Sequence, residues 1–136
     1  MADEPPELHE ATEAVVRFAA AWTEWERQMA AIPDSGNDPR MQAARANLIQ
    51  THCTGKKRAY VDGLLSYSRP PTYENVTEDN LLNAELVSPT RAHVDAKGLL
   101  SFYRFVVVNK RDGWRIDSLK WRVSTEDSWE KGLIGS

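Results

Sequence analysis

Apolar residues recur at alternating spacings of three and four along the first part of the chain. Such spacing places one continuous apolar stripe along a helix, with charged residues on the opposite face. The pattern predicts a helix over Pro6–Ala31, preceded by a flexible lead-in at residues 1–6. Because Trp is unfavourable at a coiled-coil seam, we expect this helix to pack on a sheet. The residues of the stripe are Leu8, Ala11, Val15, Phe18, Trp22, Trp25, Met29 and Ile32.

Capping signals predict two more helices. Asp38 stands directly before Pro39, which is a favoured start for a helix, and this helix is expected to run to about Cys53. A short third helix is expected to start at Thr77. Its first turn would hold acidic residues at positions 78 and 79, where they suit the helix dipole.

The second half of the chain has the period of β-strands. We expect four strands, over residues 84–88, 91–96, 99–108 and 114–123. The segment 99–108 is nearly all apolar, so it should be a central strand covered on both faces. A weaker strand signal within residues 56–68 ends at Arg69-Pro70-Pro71. The tail, residues 124–136, is expected to be irregular.

Helices followed by antiparallel strands form an α+β pattern, and we expect one domain over residues 1–136. The third, short helix and the two long ones would pack on a curved antiparallel sheet. A sheet that curves around a long helix makes a cone with a mouth.

Composition and charge narrow the function classes. The net charge is −3, but residues 1–40 carry nine acids against three bases, whereas residues 41–136 carry eleven against fourteen. The first helix therefore has an acidic face and the sheet half is mildly basic. No apolar run is long enough to span a membrane, and the chain has one cysteine. Residues 1–10 are acidic and lack an apolar run, so we expect no secretion signal. We expect a cytoplasmic protein.

Residues able to do chemistry are present, but they form no convincing set. His93 and Asp95 would share a strand face, yet Arg91 shares it too, which indicates solvent rather than a pocket. Tyr103 has no paired acid, and Asp117 has the alternation of a surface residue. We therefore expect no enzyme and no cofactor. The candidates considered are Asp62, His93, Asp95, Tyr103 and Asp117.

Metal and nucleic-acid binding are also poorly supported. His52 and Cys53 are adjacent, but no second ligand pair stands at a usable spacing. The basic clusters at residues 56–58 and 110–111 are short, and the acidic first helix disfavours a surface that follows phosphates.

The C-terminal strands resemble those of the NTF2-like superfamily. Gly113 to Leu119 is similar to the closing strand of that superfamily, and Arg91 to Val94 with Phe102 to Phe105 has the usual order of the strand pair before it. The resemblance implies the cone-shaped fold. Because this superfamily includes isomerases, dehydratases, transport factors and binding proteins, the fold alone decides no function.

A narrower resemblance lies upstream. Cys53 to Arg58, Pro70 to Tyr73 and Glu85-Leu86 are similar to the corresponding parts of the bacterial NTF2-fold immunity proteins of polymorphic toxin systems. The resemblance implies a protein that binds a cognate toxin domain and neutralises it by direct contact.

Binding of this kind needs aromatic or Arg anchors within a charged rim. Arg69, Tyr73 and Trp129 lie in or beside loops and are the predicted partner-binding residues, although Tyr73 and Trp129 would serve equally as caps of the core. Alternatively, the acidic face of the first helix would steer a basic toxin such as a nuclease. Two other functions remain open. An isomerase or dehydratase would need a roomy cone rather than one filled by aromatic rings. A homodimeric accessory domain would pair through its sheet.

Overall fold

Two helices precede a five-stranded antiparallel sheet in the structure, a computed structural model that describes residues 5–55, 67–132 and 134. The strands are neighbours in chain order. The predicted α+β class is therefore confirmed. The elements are α1 (Pro6–Ala31), α2 (Pro39–His52), β1 (Leu81–Ser88), β2 (Arg91–Lys97), β3 (Phe102–Lys110), β4 (Gly113–Arg122) and β5 (Glu130–Gly132), with 3-10 turns at Ser35–Asn37 and Glu78–Asn80.

The apolar stripe of α1 lies against one face of the sheet, as its spacing predicts. Seven of its eight residues are buried, and Ile32 at the end of the helix is half-buried. Phe18 meets Phe105 of β3 at a ring distance of 6.2 Å and Tyr73 at 5.5 Å. Trp25 donates from its indole nitrogen to the Met41 carbonyl at 3.0 Å, which joins α1 to α2. These rings occupy the space between α1 and the sheet.

The start of α2 follows its capping signal. The Asp38 carboxylate accepts a hydrogen bond from the backbone nitrogen of Arg40 at 2.9 Å, which satisfies one of the free donors of the first turn. The Arg40 side chain also binds this carboxylate and lowers the pKa of Asp38. At the other end, Arg115 of β4 donates to the carbonyls of Gln50 and Thr51, at 2.8 and 2.9 Å. Both ends of α2 are thus satisfied by side chains.

The predicted third helix is wrong in extent. Residues 78–80 make a single 3-10 turn, and Thr77 gives it no side-chain cap. The strand pairing explains the difference, because Leu81 already pairs with Ala96 and commits the chain to β1 three residues earlier than expected. Val76 is nevertheless buried, and Leu81 packs against the core.

The later strands also differ from expectation at their ends. β3 begins at Phe102 because residues 98–101 close a turn in which Gly98 donates to the Ser101 carbonyl at 2.7 Å. Its burial on both faces is confirmed, since Val106 and Val108 are buried on the face away from α1. The turn into β4 ends at Gly113, whose φ of 108° is a conformation that favours glycine.

The tail is not wholly irregular. Residues 130–132 form β5, which pairs with β4 through Lys120 and Lys131, and Ile134 is buried in the core. The sequence pattern missed this strand because three residues are too short to show a period. The strand signal predicted at positions 64 and 65 lies outside the described residues.

A buried carboxylate holds the segment after position 66 against α1. Glu26 is 1% exposed, and its two oxygens accept hydrogen bonds from the backbone nitrogens of Ser68 and Thr72, the second at 2.8 Å. Arg69 donates to the Ala30 carbonyl at 3.0 Å and strengthens the same junction. The segment that carries Tyr73 into the core is therefore anchored at two places on α1.

Replacing Glu26 by Gln should destabilise the protein by about 1–3 kcal/mol, because the amide keeps one acceptor and turns a donor towards a backbone N–H. Urea unfolding monitored by tryptophan fluorescence measures the change. Glu24→Gln is the matched control, since Glu24 is exposed on the opposite face of α1, and it should change stability by less than about 0.5 kcal/mol. Equal stabilities of the two variants would contradict an anchoring role for Glu26.

Candidate partner-binding surface

The face of the sheet turned away from α1 is called here the outer face. Along β2, alanines and Val94 point to α1, so the alternate residues His93 and Asp95 lie on the outer face. Direct cross-strand partners share a face, which places one row of side chains across four strands: Asp95, Arg104, Lys120 and Lys131.

Asp95 and Arg104 form a two-pronged ion pair. Nε of Arg104 donates to Oδ1 of Asp95 at 2.7 Å and Nη2 donates to Oδ2 at 2.9 Å. Asp95 is only 8% exposed, so the expectation of a solvent-facing surface at this position was wrong. The hydrogen bonds from the pair raise the pKa of Arg104 and keep its charge in place.

Trp129 lies over this part of the outer face. The guanidinium carbon of Arg122 is 4.1 Å from the centre of its ring, and that of Arg104 is 4.7 Å away. Nη1 of Arg122 also donates to the Asp127 carbonyl at 3.2 Å, which fixes the loop leading to Trp129. We call Trp129, Arg104 and Arg122 the Trp129 cluster. Trp129 remains partly exposed.

The three predicted partner-binding residues are not brought together. Tyr73 is fully buried and touches the rings of Phe18 and Phe105, so it is a core residue and offers no contact surface in this conformation. Arg69 is exposed, but it is tied to the end of α1 and lies over the ring of Tyr67. Of the three, Trp129 alone belongs to a cluster of charged side chains on the outer face.

His93 and Asp95 do not form an acid–base pair. The Asp95 carboxylate is held by Arg104, while Nδ1 of His93 is buried without a hydrogen-bond partner among the described residues. Burial lowers the pKa of His93 most, and the nearby charges of Arg104 and Lys120 lower it further, more than Glu85 and Asp95 raise it. His93 is therefore held neutral, and its carboxylate neighbour is engaged elsewhere.

The remaining chemical candidates have structural roles. Tyr103 points inward beside Tyr73, and its pKa is raised by burial and then by the charge of Glu26. Asp117 accepts a hydrogen bond from Thr54 at 3.0 Å, which ties β4 to the end of α2. Asp62 lies outside the described residues.

Glu26 was not among the sequence candidates, although a signal for its burial exists. It stands four residues after Trp22 and three before Met29, so it falls on the apolar stripe rather than on the charged face of α1. Its oxygens are already bound by two backbone N–H groups.

Within the described ranges, no three His, Cys, Asp or Glu side chains are grouped as a metal site. No helix in the same ranges is long and apolar enough to cross a membrane.

Folding stability should fall as the pH drops below about 6.5, the ordinary histidine pKa. The pKa of His93 is lowered in the folded protein, so the unfolded chain takes up the proton first and is favoured at lower pH. The pKa of His52 is lowered in the same direction, by burial and by Arg17 and Arg115. Urea unfolding at pH 7.5 and 5.5 measures the loss.

The variants His93→Gln and His52→Gln test the origin of this pH dependence. Each removes one titrating ring, so each should reduce the loss of stability between the two pH values, and the double variant should reduce it further. A wild-type loss that persists unchanged in the double variant would assign the effect to other groups.

Comparison with known proteins gives a family match over most of the chain. The family model described as NTF2 fold immunity protein matches residues 10–132, which include α1 from Glu10 onward, α2 and the five strands described above. No curated protein and no solved structure gives a significant match. A match across this length extends well beyond the short motifs of the sequence and includes the outer face and Trp129. The chain therefore belongs to the family of NTF2 fold immunity proteins.

Proposed function

We propose that this protein binds a cognate toxin domain in the bacterial cytoplasm and neutralises it by direct protein–protein contact. Membership of an immunity-protein family supports this role. In a polymorphic toxin system, such a protein protects a cell from its own toxin or from that of a neighbour.

The observation that carries the proposal is the Trp129 cluster. Trp and Arg are the side chains most enriched among residues that dominate binding energy. Trp129 is partly exposed and is held by the guanidinium groups of Arg104 and Arg122, so its ring is positioned before a partner arrives. A side chain that is already ordered loses less entropy on binding.

The interior of the protein supports binding rather than catalysis. An isomerase or dehydratase needs space and an available acid or base beside the substrate. Phe18, Trp22 and Trp25 are buried between α1 and its neighbours, and their rings fill this part of the interior. The buried carboxylate of Glu26 is engaged with the backbone N–H groups of Ser68 and Thr72.

Co-expression with the toxin encoded beside this gene tests the proposal. The wild-type protein should restore growth of cells that produce the toxin domain and should co-purify with it at a fixed ratio. Light scattering of the protein alone then shows whether it is a monomer or a homodimer before it binds. Failure both to restore growth and to form a complex would refute the proposal.

Trp129→Ala should weaken the complex by at least about tenfold, the loss typical of a dominant aromatic contact. Val87→Ala is the control, because Val87 is an exposed apolar residue on β1, and it should leave the affinity unchanged. Thermal unfolding of both variants separates loss of binding from loss of fold. Unchanged affinity in a folded Trp129→Ala variant would remove Trp129 from the interface.

A further inference from the structure

Cations outnumber acids on the outer face. Cross-strand pairing places two acids there, Glu85 and Asp95, and a larger number of bases. The bases include Arg91, Lys97, Arg104, Lys120, Arg122 and Lys131. Since Asp95 is paired with Arg104, the excess is concentrated on β4 and β5.

The arrangement on β4 and β5 is unfavourable for the isolated protein. Lys120 and Lys131 are direct cross-strand partners, and like charges at such positions destabilise a sheet. Neither lysine has an ion-pair partner among the described residues. On β3, Arg104 is the direct cross-strand partner of Lys120. Three cations thus stand side by side with a carboxylate at only one end of the row.

Arg122 is the cation best placed to receive an anion. It packs over Trp129, and it has no carboxylate partner in the part of the chain that the structure describes. Asp127 offers Arg122 only its backbone carbonyl, because its carboxylate accepts from the Ser124 nitrogen. A guanidinium binds a carboxylate through two parallel hydrogen bonds, which is geometry that Arg122 does not use internally.

We propose that Lys120, Arg122, Lys131 and Trp129 form the contact surface for an acidic segment of the toxin. This inference rests on the proposed function and assigns the surface and the chemistry of the partner. Asp or Glu side chains of the toxin pair with Arg122 and relieve the repulsion between the two lysines. Trp129 supplies the apolar anchor beside them.

The distribution of charge favours an acidic protein over nucleic acid. The three cations of the surface lie on adjacent strands about 5 Å apart, a compact patch rather than a track that follows a phosphate backbone. The exposed face of α1 is acidic and the net charge is −3, so a long polyanion meets repulsion beyond the patch.

A second copy of this chain fits the patch less well. In such an assembly, the exposed acidic residues of α1 on one copy would pair with the patch on the other copy. Part of the negative charge of α1 is already neutralised within its own copy. Glu13, for example, contacts Arg17 at 3.4 Å. Pairing of one copy's helix with another's sheet would also be head-to-tail, which builds rings or open filaments rather than a two-fold dimer.

Isothermal titration of the purified protein with the toxin domain encoded beside it tests the inference. Arg122→Glu should raise the dissociation constant by at least about tenfold, and Lys131→Glu should raise it several-fold, because each places a negative charge opposite an acidic partner. Arg111→Glu is the matched control. It makes the same charge change at an exposed residue in the turn between β3 and β4, and it should change the constant by less than about twofold.

If Arg122→Glu fails to fold, the Lys131→Glu variant still tests the inference. The Lys131 side chain is exposed and has no ion pair or side-chain hydrogen bond within the described part of the chain, and Glu would face Lys120 in place of a like charge, so Lys131→Glu should unfold at a temperature no lower than the wild type. Raising the salt concentration should weaken the wild-type complex more than the Lys131→Glu complex, because an attractive charge contact has been removed from the variant.

The outcomes separate the two proposals. If the wild-type protein does not bind the toxin domain, the proposed function fails and the surface assignment fails with it. If the wild-type protein binds and both outer-face variants bind as tightly as Arg111→Glu, the surface assignment alone is overturned. Two other results would also overturn it: binding of a 20-base-pair duplex that is lost in the two variants while toxin binding is kept, or self-association of the protein that these variants abolish.

Discussion

Packing of the aromatic rings of α1 against the inner face of the sheet is the interaction on which the remaining structure depends. Phe18 and Trp22 meet Tyr73 and Phe105 through ring distances between 5.5 and 6.2 Å. Burial of each large ring stabilises the fold by about 1.5–3 kcal/mol, and each well-placed ring pair adds about 0.5–1.5 kcal/mol. These contacts set the position of α1 on the sheet, and the Glu26 carboxylate then holds the segment that delivers Tyr73.

One consequence is that the two faces of the sheet have different roles. The inner face is committed to the core, so charged strand residues are confined to the outer face by the alternation of side chains. There, Asp95 and Arg104 are engaged with each other, whereas Arg122 and the two lysines of β4 and β5 have no carboxylate as an ion-pair partner among the described residues. The outer face thus has a structural part and a part available to a partner.

The immunity function is consistent with this division. A binding protein needs a rigid surface with a few ordered anchors, and it can fill its interior with side chains because no substrate has to enter. Trp129 is ordered by two guanidinium groups, and the catalytic candidates on β2 are engaged or neutral. Family membership and surface chemistry therefore favour the same kind of role through independent observations.

Sequence alone determined the features that depend on near neighbours in the chain. The spacing of apolar residues predicted α1 to both ends, Asp38 and Pro39 predicted the start of α2, and the alternation of residues predicted four strands. Short motifs also indicated the family that the match over residues 10–132 shows. All of these signals repeat over several residues or act within one turn, so they can be recognised without knowledge of the fold.

Only the tertiary structure decided which side chains meet across distant segments. Tyr73 and Trp129 look alike in sequence, as aromatic residues beside loops, yet one is buried among the α1 rings and the other lies over Arg104 and Arg122. Asp95 became a buried ion-pair residue because cross-strand register places it opposite Arg104. The like-charged partners Lys120 and Lys131 arise from β5, a strand too short for any period. Register and packing join residues that are far apart in the chain, and no local pattern encodes those pairings.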